Sequence, residues 1–170
     1  MAQTSTTLIS AKSHITSITG TDISLSATSG VYTISATSTV LTGAGKLAVG
    51  DLITVSGSAS NNSTFTVSTV VSTLEITVAE VVTSENADGS STITLDHVGF
   101  VSDKAKGDGY YSQPDGVHTV AYQVANDFNA NATIKMQGTL ATTPTEDDWF
   151  DIANTTFIAD GSTVTSSYNF

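Results

Sequence analysis

The stretch Val49-Gly50-Asp51-Leu52-Ile53-Thr54-Val55-Ser56-Gly57-Ser58, followed closely by Asn61-Asn62-Ser63-Thr64-Phe65-Thr66-Val67-Ser68, decides the fold. Val49-Gly50-Asp51 leads into a run rich in β-branched residues that ends at Gly57. Thr64-Phe65-Thr66-Val67-Ser68 alternates polar and apolar with the period of two that marks a strand. Gly57 and the polar residues 58–63 lie between the two runs, and Asn61-Asn62 can adopt positive φ at a turn. The pattern predicts a β-hairpin with a long tip.

The same vocabulary continues on both sides. Val31, Thr33 and Ser35 alternate with Tyr32, Ile34 and Ala36, and Gly43-Ala44-Gly45-Lys46 marks a turn. Val70-Val71, Leu74-Glu75-Ile76-Thr77-Val78 and Thr92-Ile93-Thr94-Leu95 add short strands, and Asn86-Ala87-Asp88-Gly89 reads as a second hairpin turn. Short strands at this spacing predict a small β-barrel or sandwich over residues 31–95. Residues 1–30 carry Leu8, Ile9, Ile15, Ile18, Ile23 and Leu25 unevenly among Ser and Thr. They read as an extended arm with one or two short strands, either an ordinary first strand or a strand lent to a neighbour's sheet.

Residues 96–116 are punctuated by Gly99, Gly107, Gly109, Pro114 and Gly116 and read as a linker loop. Residues 117–170 return to alternation and predict a second, β-sandwich-like unit. Its strands are expected in 117–124, 132–140, Trp149-Phe150-Asp151-Ile152, Thr155-Thr156-Phe157-Ile158 and 164–170, with turns at 142–148 and at Ala159-Asp160-Gly161-Ser162. Ile134, Met136 and Gly138 share one face of the second run. The last run is still alternating at Tyr168 and Phe170, so the unit is expected to be completed by a partner or by further residues. Residues 148–152 support one helical turn at most. The fold class is all-β.

Composition agrees and narrows function. Of 170 residues, 39% are hydrophobic and 12% charged, about half the charged share of ordinary globular domains (about 25%). Ser and Thr supply roughly a third of the chain, and the branched Cβ of Thr suits a pleated, half-buried surface. Net charge is −11, and the cations are all lysines. Lys12, Lys46, Lys104, Lys106 and Lys135 are too scattered to neutralise a run of phosphates, which disfavours nucleic acid and anionic membrane as partners. The absence of cysteine excludes disulfides and thiolate chemistry. The N-terminus lacks the basic and apolar regions of a signal peptide, and no stretch is apolar enough to span a bilayer as a helix. A soluble protein assembled in a cytoplasm is expected.

Candidate chemistry is sparse. Asp96-His97, with Asp103 and Asp108, invites a metal reading, but His14, His97 and His118 lack the paired spacing of zinc ligands. Glu146-Asp147-Asp148 with Asp151 is the densest acidic cluster. It could bind calcium or, with two carboxyls across a cleft, cleave a glycan, but adjacent acids on a turn are expected to face water. No Gly-x-Ser-x-Gly elbow and no phosphate loop occurs. Tyr110-Tyr111 are candidates for contact with a partner or a sugar, and Trp149 is expected in the core beside Phe150. No catalytic, cofactor-binding or metal-ligating residue is assigned.

Two stretches carry a resemblance. Residues 49–67 resemble a "GD-x-I-x-V-S-G-S…N-N-G-T-F-T-V" hairpin of tailed-bacteriophage head-surface and tail proteins, with Ser63 in the place of a glycine. Residues 121–150, especially Ile134-Lys135-Met136-Gln137-Gly138-Thr139-Leu140-Ala141-Thr142-Thr143-Pro144 and Asp148-Trp149-Phe150, are similar to β-sandwich segments in structural proteins of cyanophages and other marine phages. The resemblance covers somewhat under half of the chain. It implies a non-enzymatic virion protein in many copies, a capsid decoration or a tail- or fibre-associated subunit. Such a protein would be assembled in the host cytoplasm and partnered by its own copies and other virion proteins. The residue-level alternatives are a carbohydrate- or host-receptor-binding module resting on Tyr110, Tyr111 and the acidic turn, and a glycan-degrading enzyme using residues 146–151.

Overall fold

The structure is a computed structural model, and it describes residues 7, 8, 12, 15–102, 119–124 and 132–169, without the side chains of Glu146 and Asn169. The chain divides into two compact units, Met1–Ala105 and Lys106–Phe170. Both are all-β.

The first unit is one seven-stranded antiparallel sheet built from β1 (Ile18–Gly20), β2 (Ile23–Thr28), β3 (Val31–Ala36), β4 (Asp51–Ser56), β5 (Thr64–Ser72), β6 (Glu75–Val78) and β7 (Ile93–Phe100). Their order across the sheet is β1-β7-β4-β5-β6-β3-β2. The predicted hairpin is present: β4 pairs β5 with Leu52 opposite Thr66, Ile53 opposite Phe65 and Thr54 opposite Thr64. Strand β5 then changes partner. Its first residues pair with β4, and from Val67 onward it pairs with β6 through two register shifts, irregularities of the kind that bend a strand and increase its twist. The sheet curls there, and one face of all seven strands closes on one core. Ile18, Ile23, Leu25, Ile34, Ile53, Val55, Phe65, Val67, Ile76, Val78, Ile93 and Leu95 fill it, each at the inward phase of its strand.

The sheet is not closed into a barrel. Its two edge strands, β1 and β2, are joined by Thr21-Asp22 alone, yet they do not pair. The Asp22 carboxylate holds this corner instead, accepting from the backbone N–H and the hydroxyl of Thr37, Ser38 and Thr39. These bonds, that of the Thr39 hydroxyl foremost, hold the Asp22 carboxyl well below the usual carboxylate range.

Three expectations change here. Residues 18–28 do not form an arm, because β1 pairs β7 and β2 pairs β3 within the same chain, where the inward Ile18, Ile23 and Leu25 bury apolar surface that an arm would leave exposed. Strand β7 runs to Phe100, so the expected boundary at 95 falls inside a strand. Residues 86–89 do not close a hairpin: β6 pairs β3 and β5, whereas β7 pairs β1 and β4. The chain between them crosses to β2, where Leu25 and Glu85 exchange both backbone hydrogen bonds at 2.9 and 2.8 Å.

The second unit contains β8 (Thr119–Val124), β9 (Thr133–Ile134), β10 (Gln137–Gly138), β11 (Phe150–Asp151), β12 (Phe157–Ile158) and β13 (Val164–Asn169). They form three two-stranded antiparallel ladders, β8 with β13, β9 with β12 and β10 with β11. The alternating run 132–140 is therefore two short strands with different partners, and the turn at 159–162 joins strands that do not pair with each other. Strand β13 finds a partner inside the chain, with Val164 opposite Val124 and Tyr168 opposite Val120. Val124, Phe157 and Ala159 are buried, and Tyr122, Ala132, Ile134, Val164 and Tyr168 pack around them. Thr155 is the buried polar hub. Its hydroxyl donates to the Ile152 carbonyl and accepts from the Met136 N–H, while its carbonyl accepts from the Tyr122 hydroxyl. Glu146–Asp148 form a single 3-10 turn.

Candidate functional site

The tip of the β4–β5 hairpin is held by a dense set of side-chain hydrogen bonds. Its two bounding glycines are fixed by geometry. Gly57 has φ +79°, and a Cβ there would lie 2.1 Å from the Thr92 carbonyl oxygen. Gly50 has φ +87°, and a Cβ there would lie 2.5 Å from the Val101 carbonyl oxygen. Only glycine combines that backbone conformation with so close an approach. The "G-D-x-I-x-V-S-G" spacing thus brackets a strand whose two ends are each pressed against β7 or a residue flanking it.

Inside the tip, Ser58 and Asn62 clasp each other. The Ser58 N–H donates to Asn62 Oδ1 at 3.0 Å, and Asn62 Nδ2 donates to the Ser58 carbonyl at 2.6 Å. Asn61 is buried, and its amide exchanges two bonds with the backbone of Thr83. Glu85 gathers the remainder. It accepts from the Ser58 hydroxyl at 2.6 Å, the Ala59 N–H at 2.9 Å, the Ser60 N–H at 3.3 Å and Asn61 Nδ2 at 3.1 Å. These bonds, that of the Ala59 N–H foremost, hold the Glu85 carboxyl below its ordinary value. Neither asparagine adopts positive φ, and neither does Ser63. The tip is shaped by side-chain hydrogen bonds to the 83–85 segment, so serine serves at position 63 without strain.

A second charged constellation lies under the other end of β4. Asp51 has the same phase as Ile53 and Val55, so its side chain points inward and is 1% exposed. Its Oδ2 accepts from the Ala48 N–H at 2.8 Å, and its Oδ1 lies 3.0 Å from Lys12 Nζ and 3.7 Å from His97 Nε2. His97 shares the inward phase of β7 with Ile93 and Leu95. Spacing between charged residues does not reveal this site, since 39 positions separate Lys12 from Asp51. The available signal was periodicity: an acid two residues before Ile53 on a strand must share its face.

The residues singled out by sequence are dispersed. Asp96 and His97 point to opposite faces of β7, and Asp96 takes its bond from the Ser17 hydroxyl at 2.5 Å. His14, Asp103, Asp108, Tyr110, Tyr111 and His118, with Lys104 and Lys106, lie outside the described residues. In the acidic turn, Asp148 accepts from the N–H and hydroxyl of Thr145. Asp151 accepts from Lys135 at 2.8 Å and Gln137 at 2.9 Å. Both carboxyls are held below the usual range by these bonds. Trp149 is half-buried and Phe150 is 53% exposed, so the pair is not the core anchor expected. Among the described residues, no group of three or more His, Asp or Glu is placed to hold a metal ion, and no helix is long and apolar enough to cross a membrane. No family model, no curated protein and no solved structure matches this chain.

Proposed function

We propose that this chain is a non-enzymatic structural subunit of a tailed-phage virion, carried in many copies on the particle exterior as a capsid decoration or a tail- or fibre-associated component. The observation that carries the reading is the construction of the second unit. Among its described residues no sheet has more than two strands, and two-stranded ladders are marginal in water unless they gain a third strand or a covering layer. The outer edges of such a ladder, β8–β13 above all, are templates for another strand. Leu140, Phe150 and Ile158 stand 94%, 53% and 63% exposed on the same unit. Such a unit is completed by neighbours, and symmetric repetition of one subunit supplies them. The phage-like hairpin at 49–67 supports the assignment to a virion. Assembly through sheet edges replaces assembly through an arm for residues 18–28, which the chain uses for its own sheet.

Light scattering of the purified chain and electron microscopy of intact particles test this reading. A defined oligomer and density on the particle surface are expected. Positions centred on capsomers assign decoration, and threefold positions on a tail assign a fibre. A chain that stays monomeric at high concentration and never copurifies with particles overturns the proposal.

A further inference from the structure

Beyond the assembly role, we propose that Lys12 and Asp51 form an intramolecular isopeptide bond, making this pair a self-modification site. The reacting atoms are already in place. Lys12 Nζ lies 3.0 Å from Asp51 Oδ1, and the Asp51 side chain is 1% exposed beneath the core face of β4. A buried carboxylate beside a partly buried ammonium carries a desolvation penalty that their attraction offsets only in part. Moving one proton from Lys12 to Asp51 removes both charges, and it yields the two species the reaction needs, a neutral amine and a neutral carboxylic acid.

The amine nitrogen then attacks Asp51 Cγ. A bond forms between Nζ and Cγ, and the bond from Cγ to Oδ1 breaks. Oδ1 leaves as water, carrying the acid proton and one proton released by the amine. His97 Nε2, 3.7 Å from the same oxygen, is placed to carry that proton from nitrogen to the leaving oxygen. The Ala48 N–H, bonded to Oδ2 at 2.8 Å, polarises the carbonyl that is attacked and stabilises the negative charge that develops on it. Lys12 is 24% exposed, which leaves the water a route out. No oxidant, metal or cofactor is required.

The chain contains an internal control. Lys135 and Asp151 are closer, at 2.8 Å, but their side chains are 42% and 54% exposed. Water screens the pair there, and no bond is expected. The location also suits a covalent tie. The chain has no cysteine, and β1, the edge strand that follows Lys12, has only three residues. The bond would anchor the segment before β1 to the start of β4 and close a 39-residue loop, constraining the unfolded chain as a disulfide does.

Intact-mass spectrometry of the denatured full-length chain, followed by cleavage after lysine, tests the proposal. The expected mass is lower than that of the sequence by one water. The expected digest contains a branched peptide joining residues 1–46 to residues 47–104, because acylated Lys12 is not cleaved. Lys12→Arg keeps the positive charge and is expected to restore the full mass. His97→Gln is expected to slow bond formation by about a hundredfold, read as the share of full-mass chain against time after cell-free synthesis. An unchanged rate overturns the role given to His97. A folded wild-type chain of full mass overturns the proposal. So does a lost water without a branched peptide, the signature of a succinimide at Asp88-Gly89.

Discussion

The two units use the same β-sheet vocabulary and reach different degrees of completion. In Met1–Ala105 one curled sheet buries sixteen apolar side chains in a single cluster. In Lys106–Phe170 the described residues form three two-stranded ladders, and three buried apolar side chains among them, Val124, Phe157 and Ala159, form the core cluster. The first unit turns nearly every inward position of seven strands to a common core. The second alternates just as regularly, but among the described residues its strands pair only two by two, and fewer of their inward side chains reach its core. Strand propensity and alternation are therefore not sufficient for a stable sheet; what matters is how many strands agree on one face.

Core truncation gives the largest expected effects and separates the units. Ile53→Ala should cost about 4 kcal/mol, within the range for a fully buried aliphatic residue, and unfold the first unit while Trp149 fluorescence holds. Phe157→Ala should cost about 3 kcal/mol. That is enough to unfold the second unit, seen as a red shift of Trp149 emission while the far-ultraviolet dichroism of the larger sheet persists. A single shared transition in either variant would break the comparison. Next, Gly57→Ala should cost about 2 kcal/mol or more, because it adds left-handed strain to a clash with the Thr92 carbonyl; a melting temperature equal to wild type would remove the close approach from the account of the hairpin.

The hairpin tip sharpens the comparison through pH. The Glu85 carboxyl is depressed in the folded chain relative to its ordinary value of 4.5. Its contribution is therefore fully present above that value and is lost as pH falls through the lower, folded one. Glu85→Gln should lower the melting temperature of the first unit by a few degrees at neutral pH. The gap from wild type should narrow in acid, as read by calorimetry from neutral pH down into the acid range. A gap independent of pH would contradict the role given to the carboxylate. The smallest effect belongs to the second unit. Lys135→Met removes an exposed ion pair and should leave the melting temperature unchanged within error.

Much of the first unit was legible because its inward residues recur every second position. Strands β3, β4, β5 and β6 follow from that rule, and the turn at 43–46 and the tip at 57–63 follow from the glycine and polar residues that interrupt it. The contribution of residues 18–28 was not legible, since Ile18, Ile23 and Leu25 are spread over two short strands at opposite edges of the sheet. The site around Asp51 was hidden for a similar reason. An acid beside a glycine reads as a turn, and only the pairing of β4 with β7 shows that its inward phase lies beside His97 and beneath Lys12.

By itself, the sequence determined the all-β class, the hairpin at 49–67 and the want of cysteine and arginine chemistry, because composition and period-two alternation are local properties of the chain. The tertiary structure decided which strands pair, that residues 18–28 supply two edges of the chain's own sheet, and that Lys12, Asp51 and His97 meet. Those outcomes depend on contacts across tens of residues, where many pairings satisfy the same local pattern and only burial of a common face selects among them.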